Sequence, residues 1–575
     1  MSSARTAGTV PTEVLPLMAR VREWQIAWKM SGEELLAWAA LALVTLLVRV
    51  IHLGEPPLNV EEGRRALEAW TLLREARVAY EGAPILTNLT SLVFTLFSDG
   101  DLQARLVPAL AGTALVLTPL LLRPLIGGWW GVLAGLSLAA STTLLTASRS
   151  VSPAAPTMLC LAVAVMGAWR FGASYQPGWL IAACAAAFVG IGLDTSFVVG
   201  IVGAALAYAI AEGEIFGKVS WWGPVREHGR RALAIGVGVA VVLDTRFLMN
   251  PNGIQVGLID PLWRWTSEIA RGAGLTAPLL AVMLDGGLIL LALIGFLEYT
   301  RQPKTIRFLG TWLLVSMTLA SLMRMPDLRY LAHPILPAAL LAGFGLVRLG
   351  RWIVEAGSVR TTVLALVALV PIVTASFQIN AGLRQNLSPW GASGVVLVAG
   401  LLLAGLLAFN LVRGAQLGAV FATWLLVLLT VGGVASGSRA LEARGHERGQ
   451  LIEQTVIMSD IGFVREMALK WFRAAPDGPL PVDPTLRPVV GWVLRDIPTV
   501  RYDPAANASP FPRLLADPPI QVRQDTKTIR PIVGYAADWQ SLSLQPGRIW
   551  RWIVNREPLV TLRPYAIVVV QPAGG

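Results

Sequence analysis

The chain has 575 residues, of which 54% are hydrophobic and only 14% charged, whereas soluble proteins carry about 25% charged residues. That composition excludes a soluble globular enzyme and describes a multi-pass membrane protein. The formal charge of +11 would suit nucleic acid, but the arginines stand between and beside apolar runs, as membrane-flanking cations do, so membrane lipids and anionic lipid substrates are the expected partners and nucleic acid is not.

Residues 1–34, with Arg5, Arg20, Arg22 and Lys29, are too long and polar for a cleavable leader and are expected to form a cytoplasmic amino-terminal tail. Taking about 20 apolar residues as one crossing, thirteen spans are expected within 35–435: 35–53, 104–122, 125–147, 154–171, 178–193, 195–211, 232–249, 276–297, 307–323, 331–349, 361–378, 391–412 and 417–435. The run 84–97, "PILTNLTSLVFTLF", is too short to cross and is expected to lie at the interface. With the amino terminus inside, Arg123, Arg170, Lys218, Arg301, Arg348 and Arg413 fall in cytoplasmic loops, in keeping with the positive-inside rule. The first outer loop, 54–103, breaks it: Arg64, Arg65, Arg74 and Arg77 fall outside, which suggests a role in meeting phosphates. An odd number of spans puts 436–575 outside as well. Its Pro- and Asp-rich sequence, a helical stretch near 451–473 and strand-like runs such as "YAIVVVQP" predict a small extracytoplasmic α/β domain.

Within the first outer loop, "LNVEEGRRALEAWTLL" places Asn59 as a helix N-cap and Glu62 three residues later, the capping-box spacing. Ala66, Ala69, Trp70 and Leu73 fall on one face of that helix. Capping accounts for Glu62 and leaves Glu61 unassigned at the mouth of the bundle. Elsewhere Asp194 has no evident local partner, Asp244 stands near Arg246, and Asp285 lies deep in its span, where a structural pair is expected. Trp263 and Trp265 flank Arg264, where either interfacial anchoring or stacking on a sugar ring would fit. Cys160 and Cys184 lie in apolar runs and offer no disulfide framework and no metal site. No P-loop, zinc-ligand spacing, nucleophile elbow or dinucleotide fingerprint is present; no cofactor is expected, and the pair of glutamates leaves the need for a divalent metal undecided.

The stretch "RVIHLGEPPLNVEEGRRAL" resembles the start of the first outer loop in the GT-C superfamily of integral membrane glycosyltransferases, in the protein mannosyltransferase and aminoarabinose transferase branch. "PILTNLTSLVFTLFSDGDLQARLVPALAGTALVL" is similar to that family's second interfacial helix and second span. "LLTASRSVSPAAPTMLCLAV" and "LRYLAHPILPAALLAG" resemble its Ser-Arg segment and its Arg-Tyr-x-x-x-Pro-x-x-Pro helix. Together these cover most of 45–350. The resemblance implies an all-α GT-C bundle with interfacial helices in the first outer loop. It also implies a glycosyltransferase of a plasma (inner) membrane, moving a hexosyl or pentosyl group from a polyprenyl-phosphate donor to a glycan, lipid or protein acceptor outside. Glu61 would then be the general base, with Glu62 as its helper or as a cap. Arg105, Arg149, Arg264, Arg324 and Arg329 would meet the lipid phosphate, with Tyr330, His333 and Asp194 beside the sugar. Three departures stand out: Glu61 where the family has Asp, no His before the second Pro-Leu near Pro84, and Pro153 and Ala154 where an acid often follows the Ser-Arg segment. A flippase for lipid-linked sugars, or a catalytically silent envelope scaffold, would use the same arginines without a base.

Overall fold

The computed structural model describes residues 30–75, 79–211, 222–269, 276–300, 303–323, 328–356, 455–457, 460–506, 511–516, 526–538, 548 and 560–572. The expected spans at 361–378, 391–412 and 417–435, and Arg324, lie outside the described residues.

The described chain up to 356 is helical throughout. Helix α1, Gly32–Val50, starts where the Ser31 side chain accepts the Glu34 backbone N–H at 3.2 Å. Glu34 is buried and held by both Nε and Nη2 of Arg123, at 2.5 and 2.8 Å. Three helices follow: α2, Val60–Arg74; α3, Pro84–Phe97; and α4, Asp101–Leu117. The short apolar run expected to lie at the interface is thus a discrete 14-residue helix.

The segment expected as one span over 125–147 is instead two helices, α5 (Gly128–Ala140) and α6 (Thr142–Ser148), bent by 68°. The remaining helices are α7 (Ala154–Ser174), α8 (Pro177–Leu193), α9 (Ser196–Ile210), α10 (Trp222–Asp244), α11 (Pro261–Ile269), α12 (Thr276–Gly295), α13 (Pro303–Leu322), α14 (Leu328–Leu331) and α15 (Ile335–Ala356). Among the described residues four helices are long and apolar enough to cross a membrane, or five if the bent pair is one span.

The bend has a chemical cause. Asp285 sits at a non-helical position inside α12 (φ −124°, ψ 32°) and is 5% exposed. Its carboxylate accepts the backbone N–H groups of Thr142 and Thr143, at 2.8 and 3.3 Å, and the Thr143 hydroxyl. The break before α6 exposes orphan helix N–H donors, and a carboxylate matches both them and the positive end of the helix dipole. The structural partner expected for Asp285 is therefore a helix terminus and not a basic side chain.

The bundle core gathers Trp38, Leu115, Trp130, Leu138, Phe197, Trp312 and Phe344 around α15. Helices α12 and α15 cross at Gly295 and Gly345, where an added Cβ would come within 2.2 Å of the Leu341 and Leu291 carbonyl oxygens respectively. Only glycine permits that approach, the small-residue packing of helices in lipid.

After residue 455 the chain forms a seven-stranded sheet. Its strands are β1 (Thr455–Ile457), β2 (Leu480–Val482), β3 (Val500–Tyr502), β4 (Arg513–Ala516), β5 (Thr526–Ile529), β6 (Ile532–Asp538) and β7 (Thr561–Pro572). Their order is β1-β6-β7-β4-β2-β3, with β5 also on β7; β2 runs parallel to β3 and β4, and the other pairs are antiparallel. In β7, "YAIVVVQP", Ile567 and Val569 enter one apolar cluster while Val568 and Val570 enter another. Two-residue alternation with apolar residues on both faces makes this a buried strand. Two helices flank it: α16 (Ile461–Ala474), beginning about ten residues later than the expected 451, and the single turn α17 (Arg487–Val490).

Candidate active site

Helix α2 organises the site because its sequence has three distinct faces. At 3.6 residues per turn, Glu61, Arg64, Arg65 and Glu68 form one polar stripe, Glu62, Ala66 and Ala69 a second line, and Val60, Gly63 and Leu67 a third. The helix starts with the expected capping box: Asn59 Oδ1 accepts the Glu62 N–H at 2.8 Å, and Glu62 Oε2 accepts the Asn59 N–H at 3.0 Å.

The second line is structural. The Glu62 side chain is 6% exposed and accepts from Arg105 Nε at 2.9 Å, Arg105 Nη2 at 2.6 Å and the Val151 backbone N–H at 2.8 Å. Arg105, itself 4% exposed, also donates to the carbonyls of Leu53, Pro56 and Pro57, at 3.0, 2.7 and 3.3 Å. Burial alone would raise the pKa of Glu62, but Arg105 and the backbone donors outweigh it and hold the carboxyl below its ordinary value. Glu62 and Arg105 answer each other and the backbone, so neither stands open to a base's work or to a lipid phosphate as the sequence suggested.

The polar stripe faces the bundle's acids and cations. The Glu61 side chain is 59% exposed and lies 3.0 Å from Arg64 Nη2, while Arg64 Nη1 also meets Glu81. Glu81 precedes Gly82 and Ala83, both at positive φ (148° and 47°), the turn that opens α3. The Arg65 guanidinium donates to the Val151 carbonyl at 2.7 Å and lies within electrostatic reach of Arg329, Glu61, Arg64 and Asp194. Burial, and next Arg329, pull it below the ordinary arginine value.

Across from α2, Arg329 Nη1 donates to Asp194 Oδ1 at 3.0 Å, and Asp194 also accepts the Ser196 N–H at 3.0 Å. The Arg329 guanidinium lies 5.7 Å from the centre of the Tyr330 ring, and the Tyr330 hydroxyl donates to Glu268 on α11. His333 is 3% exposed, edge-on to Tyr330 with ring centres 6.1 Å apart, and its Nε2 has no hydrogen-bond partner among the described residues. Asp194, Arg329, Tyr330 and His333 are thus brought together, with Arg65 linking them to Glu61.

Two expected arginines lie apart. Arg149 donates to the carbonyls of Val48 and Ile51, at 2.6 and 2.9 Å, closing the carboxyl end of α1; orphan carbonyls and the negative dipole end suit a cation there. Arg264 is half exposed on α11 and pairs with Asp260 one turn back, at 3.0 Å. Nor does Asp244 pair with Arg246 as its sequence neighbourhood suggested: Arg246 donates to the Leu72 carbonyl at 2.6 Å, and the buried Asp244 carboxylate has no hydrogen-bond partner among the described residues. Among the described residues no group of three or more His, Cys, Asp or Glu is placed to hold a metal ion.

Sequence reasoning did not single out Glu68 or Glu268. Glu68 lies two turns after Glu61 on the same stripe, and that periodicity is the signal that would have found it. Burial first pushes its carboxyl up to about 7, and the N–H of Glu81 donates to it at 3.3 Å. Because the folded chain holds this proton more tightly than the unfolded chain, stability falls as pH rises from about 4.5 to 7. Glu68→Gln is therefore expected to match the parent near pH 4 and to be more stable at pH 8. The full shift would correspond to about 3 kcal/mol, and solvent screening of this half-buried group reduces it to about 1–2 kcal/mol. Thermal unfolding at the two pH values measures it.

The architecture defines a class. The crystal structure of ArnT from Cupriavidus metallidurans bound to undecaprenyl phosphate superposes with a TM-score of 0.53 at 17% identity, covering 95% of this chain and 99% of its own. Its apo state does so at 0.51 and 16%, covering 93% and 98%. Archaeal oligosaccharyltransferase AglB from Archaeoglobus fulgidus, in complex with an inhibitory peptide and a dolichol-phosphate, gives 0.45 at 12%, covering 82% and 65%. The fold is similar to that of ArnT. Residues 81–223 match the dolichyl-phosphate-mannose-protein mannosyltransferase family. No curated protein sequence matches the chain.

Proposed function

We propose that this protein is a glycosyltransferase that moves a sugar from a polyprenyl-phosphate donor to a glycan, lipid or protein acceptor on the outer side of the plasma membrane. One observation carries the reading: Arg65 on the polar stripe of α2 lies within electrostatic reach both of Glu61 on the same stripe and of Arg329 and Asp194 across from it. That is a carboxylate open to solvent beside cations drawn from separate elements. ArnT of the same fold holds undecaprenyl phosphate, which supports the donor class.

In this reading the donor phosphate is met by Arg329 and Arg65; planar guanidinium groups hold two phosphate oxygens at once. Glu61 takes the proton of the acceptor hydroxyl as its oxygen attacks the anomeric carbon. The bond to the phosphate oxygen breaks, and the leaving polyprenyl phosphate keeps the electron pair under the cations' stabilisation. Asp194, oriented by Arg329 and Ser196, stands where it can accept from sugar hydroxyls, and Tyr330 and His333 wall that side. The amino-terminal tail is cytoplasmic, the 35–435 bundle carries about thirteen spans, and the sheet-bearing part within 436–575 lies outside.

The test is transfer by purified protein in proteoliposomes, from a polyprenyl-phosphate sugar, followed by release of free polyprenyl phosphate. Release coupled to acceptor glycosylation is the expected result. Movement of intact donor between leaflets without release would replace the reading with a flippase.

A further inference from the structure

The third face of α2 meets the sheet-bearing unit. Val60 packs into the apolar cluster of that unit with Val464, Val482 and Val569. Trp492, which follows α17 and is 4% exposed, lies against Gly63, where an added Cβ would contact the Trp492 Cβ at 3.4 Å. The same indole stacks on Phe94 of α3, with ring centres 5.7 Å apart and planes 22° from parallel, and its Nε1 donates to Asp101 at the start of α4 at 2.7 Å. The Arg495 guanidinium lies 3.6 Å from the centre of the indole and donates to the Asp99 carbonyl at 2.9 Å, with the Asp99 carboxylate 3.4 Å from its Nε. Behind it, Arg465 of α16 donates to the Val493 carbonyl at 3.3 Å and pairs with Asp496 at 3.3 Å.

One aromatic side chain from the far end of the chain therefore touches three successive elements of the first loop: the α2 backbone at Gly63, the Phe94 ring of α3 and the first residue of α4. Its contacts are buried, hydrogen-bonded and covered by a cation, the combination that gives an aromatic anchor its strength. The polar stripe carrying Glu61, Arg64, Arg65 and Glu68 sits on the helix so held. Glu62 and Arg105 fix one side of α2, and Trp492 fixes the other.

We infer that Trp492, with Arg495 above it, is a positioning residue: it latches α2 between the bundle and the sheet-bearing unit and so sets where Glu61 and Arg65 stand relative to Arg329. The catalytic part of this inference rests on the transferase reading; the latch itself does not. It makes the sheet-bearing unit a working part of the site and not only an appended module.

Hydrogen exchange of the full chain, parent against Trp492→Ala, tests the latch without any assay of transfer. Residues 60–74 and 99–105 are expected to exchange about tenfold or more faster, while 154–174 is unchanged, because local opening reports local packing. Trp492→Phe keeps the stack and the cation contact and is expected to recover most of the protection. Arg495→Ala, which leaves the indole in place, is expected to fall between them and decides the matter if Trp492→Ala fails to fold. Exchange in 60–74 unchanged in both truncations would overturn the latch whatever the activity. In the transfer assay, turnover by Trp492→Ala is expected to drop about 10- to 100-fold, as for a misplacement near 1 Å, with donor KM within about twofold. Faster exchange with unaltered turnover would overturn the positioning role, and a parent protein inactive in transfer would sink the function proposed above while the exchange data still judge the latch.

Discussion

Glu62→Ala is expected to destabilise the folded chain by about 3–5 kcal/mol, the cost of leaving a buried guanidinium without its counter-charge. Arg105 loses two charge-assisted bonds, the Val151 N–H loses its acceptor and the capping box on Asn59 opens. The surrounding carbonyls of Leu53, Pro56 and Pro57 are too few to neutralise what remains. Replacing both partners, Glu62→Ala with Arg105→Met, is expected to cost less than the sum of the single changes, because neither charge is then stranded. Since the Glu62 carboxyl titrates below its ordinary value of 4.5, its stabilisation is complete above that pH and is lost as pH falls through the lowered value. Thermal unfolding of the three variants, repeated down to pH 3, measures both effects. Equal stability of Glu62→Ala and the parent at pH 7 would refute the keystone role.

Glu61→Gln is expected to do the opposite. Its side chain is exposed and its bond to Arg64 is a surface pair one turn apart, worth about 0–1 kcal/mol, so unfolding should hardly change. Sugar transfer should fall by about 10²- to 10⁴-fold, the range for loss of a general base, with donor KM little altered because the phosphate cations remain. Adjacent carboxylates would thus separate cleanly, one governing stability and the other turnover. If transfer survives in Glu61→Gln, the base is another acid of the same chamber, and Glu68 and Glu268 are the two to replace next.

Much of this division was legible in the chain. Asn59 and Glu62 stand at capping-box spacing, and local chemistry of that kind survives folding because its partners are three residues apart. Helix positions in the bundle followed from apolar runs for the same reason. What could not be read was every partnership made at a distance: Glu62 with Arg105 and Val151, Asp194 with Arg329, Tyr330 with Glu268. Arg105 looked free because the acid that claims it lies 43 positions earlier, and Arg149 looked free because carbonyl acceptors leave no trace in side-chain identity. The bend between α5 and α6 was missed for a related reason. "LSLAASTTLLTAS" is apolar and small enough to continue as one helix, and beyond the local Ser141 cap the break is satisfied by the Asp285 carboxylate, 143 residues ahead of Thr142.

That last contact bears on how the chain is built. When α6 enters the bilayer, the Ser141 side chain receives the Leu144 amide, but the amides of Thr142 and Thr143 have no lasting acceptor, and the carboxylate that will satisfy them has not yet been synthesised. Until α12 arrives, those donors must borrow water or neighbouring hydroxyls in a medium that supplies little of either. The early hairpin is therefore held provisional during biogenesis and is locked only when a later helix delivers its charge, which ties correct insertion of the first half to completion of the second.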